Sequence, residues 1–188
     1  MKKITECYTL AMGTEEIVLG GGCFWCTEAV FAMLKGIEKV EPGYAGPARE
    51  TAPTYEEVGS GTTPYAEATR IIYDPDKLAF EEILQVFFAS HDPTSINRQG
   101  NDVGPQYRSV IFYTTEKQRQ KAEHYIGVLN KAGYAKPIVT AVEPLEAFYL
   151  AEGYHQKYFE AHKDAPYCEL IITPKVEMVG KKFKHLLK

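Results

Sequence analysis

Apolar positions along this chain repeat with two periods. Short β-type runs predict strands at Glu15–Leu19, Ile37–Tyr44, Glu67–Tyr73, Tyr107–Tyr113 and Ile138–Val142. In the fourth, Val110 and Phe112 share one face. Between these runs the spacing turns helical. From about Cys23 to Leu34, the apolar positions include Val30, Phe31 and Leu34. Phe80, Ile83, Leu84, Phe87 and Phe88 form a complete buried stripe, which His91-Asp92-Pro93 ends. Thr115-x-x-Gln118 has the form of a capping box. Ala122, Tyr125, Ile126 and Leu129 give the helix it opens a buried face, and Gly133 closes it.

A further helix is expected over Ala151–Ala161, pairing Tyr154 with Tyr158 and His155 with Phe159 one turn apart. A tail follows from about residue 165. It holds Cys168, an apolar Leu170-Ile171-Ile172, and a lysine-rich amphipathic segment with Val179, Phe183 and Leu187. Residues 43–65 and 95–106 lack periodicity, and a loop that long is usually functional or flexible. No linker or repeat divides the chain, so residues 1–188 are expected to form one domain. The order strand, helix, strand, strand, helix, strand, helix predicts an α+β fold, with helices on one side of a mostly antiparallel sheet.

Composition narrows the function. A hydrophobic fraction of 45% and a charged fraction of 24% are those of an ordinary soluble protein. The net charge of −4, with no basic stripe, argues against nucleic acid as a partner. No run is long and apolar enough for a bilayer, and the first residues lack a signal-like apolar core. Four cysteines (Cys7, Cys23, Cys26 and Cys168) are too few and too scattered for a disulfide scaffold. The expected location is therefore the reducing cytoplasm.

The stretch Gly20-Gly21-Gly22-Cys23-Phe24-Trp25-Cys26 concentrates the chemistry. Glycines after a strand and before a helix put Cys23 near a helix N-terminus. Unpaired N–H groups there favour a thiolate. Three readings of Cys23-x-x-Cys26 stay open: a redox pair, half of a zinc site with His155 and Cys168, or a lone nucleophile at Cys23. Glu67, at the start of its strand, reads either as a solvated carboxylate or as a partly buried proton donor. Asp102 alone reads as a turn residue. Tyr55 and Tyr107 belong to a set of thirteen tyrosines that mostly serve packing.

Taken together, the segments resemble the A-type peptide methionine sulfoxide reductases, the MsrA family. The resemblance runs from about Ile17 to Cys168, through Gly22-Cys23-Phe24-Trp25, Gly43-Tyr44-Ala45-Gly46, Tyr65-Ala66-Glu67-Ala68, Gln106-Tyr107-Arg108-Ser109, Tyr154-His155-Gln156 and Tyr167-Cys168. It implies a ferredoxin-like core, no metal and no bound cofactor. The implied reaction is reduction of methionine S-sulfoxide, free or in oxidised proteins, with thioredoxin as reductant. It further implies Cys23 as nucleophile and Glu67 as acid. Phe24 and Trp25 would wall the substrate methyl, while Tyr55, Asp102 and Tyr107 hold its oxygen. Cys168 matches the recycling cysteine, giving a Cys23–Cys168 bridge with Cys23–Cys26 as the alternative. This chain departs from the commoner pattern at Cys26 and Pro47, where many members carry glycine. It also departs at Gly59, where many carry cysteine, and at Tyr65, where many carry histidine. Its tail has a single cysteine where many members have two.

Overall fold

The computed structural model describes residues 13–133 and 136–188. Cys7 lies outside them. Six strands form one sheet. In chain order they are β1 (Glu15–Gly21), β2 (Ile37–Gly46), β3 (Ala66–Tyr73), β6 (Ser109–Tyr113), β7 (Ala141–Pro144) and β8 (Ala147–Leu150). A separate two-stranded hairpin pairs β4 (Arg98–Gln99) with β5 (Asp102–Val103). The large sheet runs β7-β6-β1-β3-β2-β8, and its pairs are antiparallel apart from β6–β7, which is parallel. The helices are α1 (Phe24–Ala32), α2 (Tyr55–Gly59), α3 (Phe80–Ser90), α4 (Glu116–Lys131), α5 (Tyr158–Ala161) and α6 (Thr173–Lys182). The fold is thus α+β, as the periodicity predicted. Among the described residues no helix is long and apolar enough to cross a membrane.

Strand alternation separates the two faces of the sheet. Ile17 and Leu19 of β1 point into the main core, where they meet Val30 and Phe31 of α1, Leu84 and Phe87 of α3, and Val179 near the end of the chain. Between them, Val18 points to the other face, a smaller cluster of Ala45, Ala66, Ala68, Val110 and Phe112 that holds no helical residue. Phe148 packs against it and also lies under the Arg70 guanidinium, 5.0 Å from ring centroid to Cζ. Within the sheet, Arg70 donates from Nε and Nη2 to the same oxygen of Glu41, at 2.8 and 2.6 Å, both side chains buried.

Several elements differ from the sequence expectation. The segment Ala151–Ala161 is not one helix. A single 3-10 turn at Gly153–His155 stops at Gln156, and Lys157 takes a left-handed conformation (φ 54°) before α5. Two side chains hold this break. Gln156 donates to the carbonyls of Pro42 and Ala151, and Glu28 of α1 accepts the Lys157 N–H at 2.7 Å. Burial pushes the Glu28 carboxyl up to about 7. Strand β8 was not anticipated, and neither were the β4–β5 hairpin and α2. The α2 helix rests on a full capping box between Thr54 and Glu57. At α4 the predicted box closes only halfway. Thr115 accepts from the Gln118 N–H, but Gln118 Oε1 turns to Thr114.

The tail differs most. Cys168–Ile172 forms a π-turn that leads into α6. Val179, Phe183 and Leu186 are buried in the main core, so this segment is part of the fold. Its last residues bind the end of α1: Lys35 N–H donates to Leu186 at 2.8 Å, and Lys188 N–H donates to Met33 at 3.1 Å.

Candidate active site

The glycines after β1 work as a turn. Gly22 sits at φ +93°, and a Cβ there would lie 2.7 Å from two carbons of Gln99. Glycine is therefore required for the strand to turn into α1 with Cys23 at its N-cap. The Cys26 N–H donates to the Cys23 carbonyl at 3.1 Å and closes the first turn. Next in line, the Phe24 N–H is an orphan helix donor. It finds Glu67 Oε2 at 3.2 Å. Glu67 reaches it from β3, through strand pairing that sets Glu67 opposite Tyr44.

Glu67 is 2% exposed, and the Phe24 amide is its hydrogen-bond donor. Burial pushes its carboxyl up to about 8, against the smaller downward pull of that amide; Asp102 and Cys26 add to the rise. Near neutral pH the group is therefore a protonated acid, one residue from Cys23 in contact terms. The solvated-carboxylate reading does not describe it.

The cysteines depart from the helix-terminus argument. Burial holds the Cys23 thiol well above its usual range, and its S–H hydrogen-bonds Cys26. That donated bond lowers Cys26 to about 7, with further help from the Lys175 charge and the Tyr167 hydroxyl. The two thiols are therefore joined by a hydrogen bond in which Cys23 is the group held protonated. The helix N-terminus is present, but the folded tail excludes the water that would solvate a Cys23 thiolate. Cys23 is 8% exposed, Cys26 3% and Cys168 0%, and the three pack in one cluster with Ile172.

Aromatic rings wall the site. Phe24 is fully buried between Tyr44 and His155, with ring centroids at 5.9 and 5.1 Å. Trp25 stacks on Tyr158 at 3.7 Å and 6° and meets Tyr167 edge-on at 5.8 Å. Tyr55 opens α2 with its N–H on Glu152 Oε1 at 2.9 Å. Tyr107 follows a turn started by Gly104 at φ +148°, where a Cβ would collide with Gln106. Burial raises both phenols, and both respond to Glu67, Cys23 and Asp102, which gathers these groups around one point. Asp102, on β5, accepts the Tyr167 hydroxyl at 2.9 Å.

Tyr167 and Glu152 enter the site without having been singled out, and His155 enters it in a role other than zinc ligand. Tyr167 reaches both sulfurs and Asp102, so its hydroxyl caps the pair. His155 is buried, and its Nδ1 accepts the Trp25 indole N–H at 3.1 Å. This bond sets the proton on Nε2, and burial keeps the ring neutral. Glu152 accepts from the Tyr44 hydroxyl at 2.7 Å and from the Tyr55 N–H, tying the wall to α2. The only sequence sign of these roles is local, in Glu152-Gly153-Tyr154-His155-Gln156 and in Tyr167 beside Cys168. As to the zinc reading, no group of three or more His, Cys, Asp or Glu side chains is placed to hold a metal among the described residues.

The chain is similar to known proteins. The family profile described as "Peptide methionine sulfoxide reductase" matches residues 15–187. The peptide methionine sulfoxide reductase MsrA of Picrophilus torridus is 52% identical over 165 residues, covering 88% of this chain and 93% of that protein. That of Thermus thermophilus is 51% identical over 177 residues, covering 94% and 99%. Among solved structures, reduced Mxr1 from Saccharomyces cerevisiae superposes with a TM-score of 0.78 at 28% identity, covering 89% of this chain and 96% of that one. Methionine sulfoxide reductase A of Corynebacterium diphtheriae gives a TM-score of 0.70 at 35% identity, covering 81% and 76%.

Proposed function

The chain belongs to the peptide methionine sulfoxide reductase family, and from that premise we propose that it reduces methionine S-sulfoxide, in proteins and as the free amino acid, to methionine. It is an oxidoreductase, and its role is repair of oxidised protein. One observation carries the mechanism: a buried, protonated carboxyl, Glu67, hydrogen-bonded at the residue next to the Cys23 thiol.

The steps follow from the geometry. Cys23, its proton released to solvent, attacks the sulfoxide sulfur as a thiolate and forms an S–S bond to it. Glu67 gives its proton to the sulfoxide oxygen, which leaves the substrate sulfur as the S–O bond breaks. The hydroxide so released then attacks the Cys23 sulfur of the Cys23–sulfonium bond; that S–S bond breaks, and the products are methionine and a Cys23 sulfenic acid, with Glu67 ionised. Phe24 and Trp25 enclose the methyl, and Tyr55, Tyr107 and Asp102 hold the oxygen side. Exchanging methyl and oxygen would drive a polar atom against the Trp25 wall, which supports selection of one epimer. A neighbouring thiol, Cys168 or Cys26, then condenses with the sulfenic acid and releases water, and thioredoxin reduces the disulfide.

The antiparallel order β6-β1-β3-β2, with α1 and α3 as the two crossing helices, supports reading the core as ferredoxin-like. Residues 1–188 act as one domain, at work in the cytoplasm. A general thiol–disulfide oxidoreductase would use Cys23 and Cys26 but would have no use for Glu67. The deciding experiment gives the protein dithiothreitol and each sulfoxide epimer separately. Methionine from the S epimer alone, abolished in Cys23→Ser, is the expected result. Disulfide reduction without sulfoxide turnover would replace this reading with the oxidoreductase one.

A further inference from the structure

Glu28 is a buried carboxyl that the reaction does not use. It sits on α1 one turn after Trp25, and residues three apart share a helix face. Both side chains of that face meet one short segment. Trp25 donates its indole N–H to His155 at 3.1 Å and lies flat on Tyr158, with ring centroids 3.7 Å apart and planes at 6°. Glu28 Oε1 accepts the N–H of Lys157, the residue just before Tyr158, at 2.7 Å.

Lys157 is where this segment reverses hand. Its φ of 54° and ψ of 35° separate the 3-10 turn that ends at His155 from α5, which opens with Tyr158. A left-handed residue other than glycine persists only where its surroundings over-determine it. Gln156 supplies one anchor, to Pro42 of β2 and to Ala151, and Glu28 supplies another, from α1. The direction in which Tyr158 leaves the backbone follows from that reversal, and with it the plane on which Trp25 rests. Glu28 is 4% exposed, and its Oε2 is buried with no hydrogen-bond partner among the described residues. A buried unpaired oxygen weakens a fold, so stability alone does not account for a carboxyl at this position.

Resting on the reductase reading above, we propose that Glu28 is a positioning residue for the wall around the substrate methyl: by holding the Lys157 N–H it seats Tyr158 against Trp25, and so sets substrate affinity and epimer choice. It acts through Tyr158 and Trp25, whose contact with the methyl is the same before and during the reaction. Such a contact is read in KM and in the ratio between epimers rather than in kcat.

Trp25 is the only tryptophan of the chain, so its emission reports this contact without substrate. The test compares Glu28→Met, close in shape but without the carboxyl oxygens, with Glu28→Gln, which keeps an acceptor for Lys157. In Glu28→Met the emission should shift to the red, and its quenching by acrylamide should rise. With dithiothreitol as reductant, KM for methionine S-sulfoxide should rise about 3–10-fold, kcat should stay within about two-fold, and the preference for the S epimer should fall by a factor similar to that in KM. Glu28→Gln should restore each of these. Glu28→Asp, one methylene short of Lys157, should repeat the Glu28→Met defect, so the test does not depend on one variant folding. Tyr158→Ala should show the same change in KM and epimer choice, and adding Glu28→Met to it should worsen neither, because both substitutions act through one contact. Wild-type emission in Glu28→Met overturns the proposal, and so does altered emission with KM and epimer choice unchanged. A wild-type protein that makes no methionine overturns the reductase reading, and the emission still reads the Glu28 contact separately.

Discussion

A carboxyl pushed up to about 8 by burial enters the folded protein protonated, and this has two consequences that pull in opposite directions. For the reaction, Glu67→Gln keeps a hydrogen bond but has no proton to give. Single-turnover methionine formation should fall by ~10²–10⁴-fold, with binding changed far less. For the fold, the sign is reversed. Because the folded pKa is raised above the unfolded carboxylate value, the stabilising contribution is complete below the unfolded pKa. It is lost progressively as pH rises through about 8. The Gln variant should therefore unfold at higher temperature than wild type at pH 8, with the advantage vanishing near pH 4. Calorimetry at the two pH values checks this, and equal melting at both would place Glu67 in water. The same ionisation should make the chemical step decline above about pH 8. Trp25 is the second residue whose role is specific. Its stacking on Tyr158 and bond to His155 fix the ring, so Trp25→Ala should weaken productive binding by about 1 kcal/mol and blur epimer choice. Competition between the two epimers reads that selectivity directly.

At the scale of elements, the tail helix is the clearest case of a segment whose weight in the fold exceeds its sequence signal. Phe183 is 5% exposed in the main core, so Phe183→Ala should cost about 3–5 kcal/mol in urea unfolding. A loss below 1 kcal/mol would mean the tail is only laid on the surface. Where an element buries one face against the core, its period was readable. Phe80 to Phe88 gave α3, and Ile17-Val18-Leu19 gave β1, because burial dictates those positions. Ala151–Ala161 was misread because its period is helical while its break depends on distant groups. Lys157 is left-handed, and Glu28 and Gln156 hold it there through contacts across the chain. Strand β8 is only four residues long and is defined by its partner β2, so it carries little pattern of its own. At the site, the glycines before Cys23 announced its place at the start of a helix, whereas its burial in one cluster with Cys26 depends on a tail that only the fold brings near. Tyr167 stayed hidden for the same reason.

For the molecule as a whole, the sheet supplies the buried Glu67 carboxyl and the strand-to-helix turn, and the tail closes over both. Removing residues 183–188 should therefore do more than loosen α1. Alkylation of Cys23 in the reduced protein should accelerate several-fold, and it should do so at a temperature where circular dichroism still reports the native sheet. An unchanged rate would show that Tyr167 covers the sulfur without help from the end of the chain. The anchoring of that end has a further consequence. Tyr167 is bound to Asp102 on one side of Cys168, and Leu186 and Lys188 are bound to the end of α1 on the other. Cys168 thus rides on a strap fixed at both ends rather than on a free arm. Its encounter with the other sulfurs is governed by an effective concentration that the strap sets, independent of how dilute the protein is. Internal disulfide formation should therefore outpace mixed-disulfide formation with any small thiol present at ordinary millimolar levels, so the oxidised enzyme waits as a closed internal bridge until a dithiol docks.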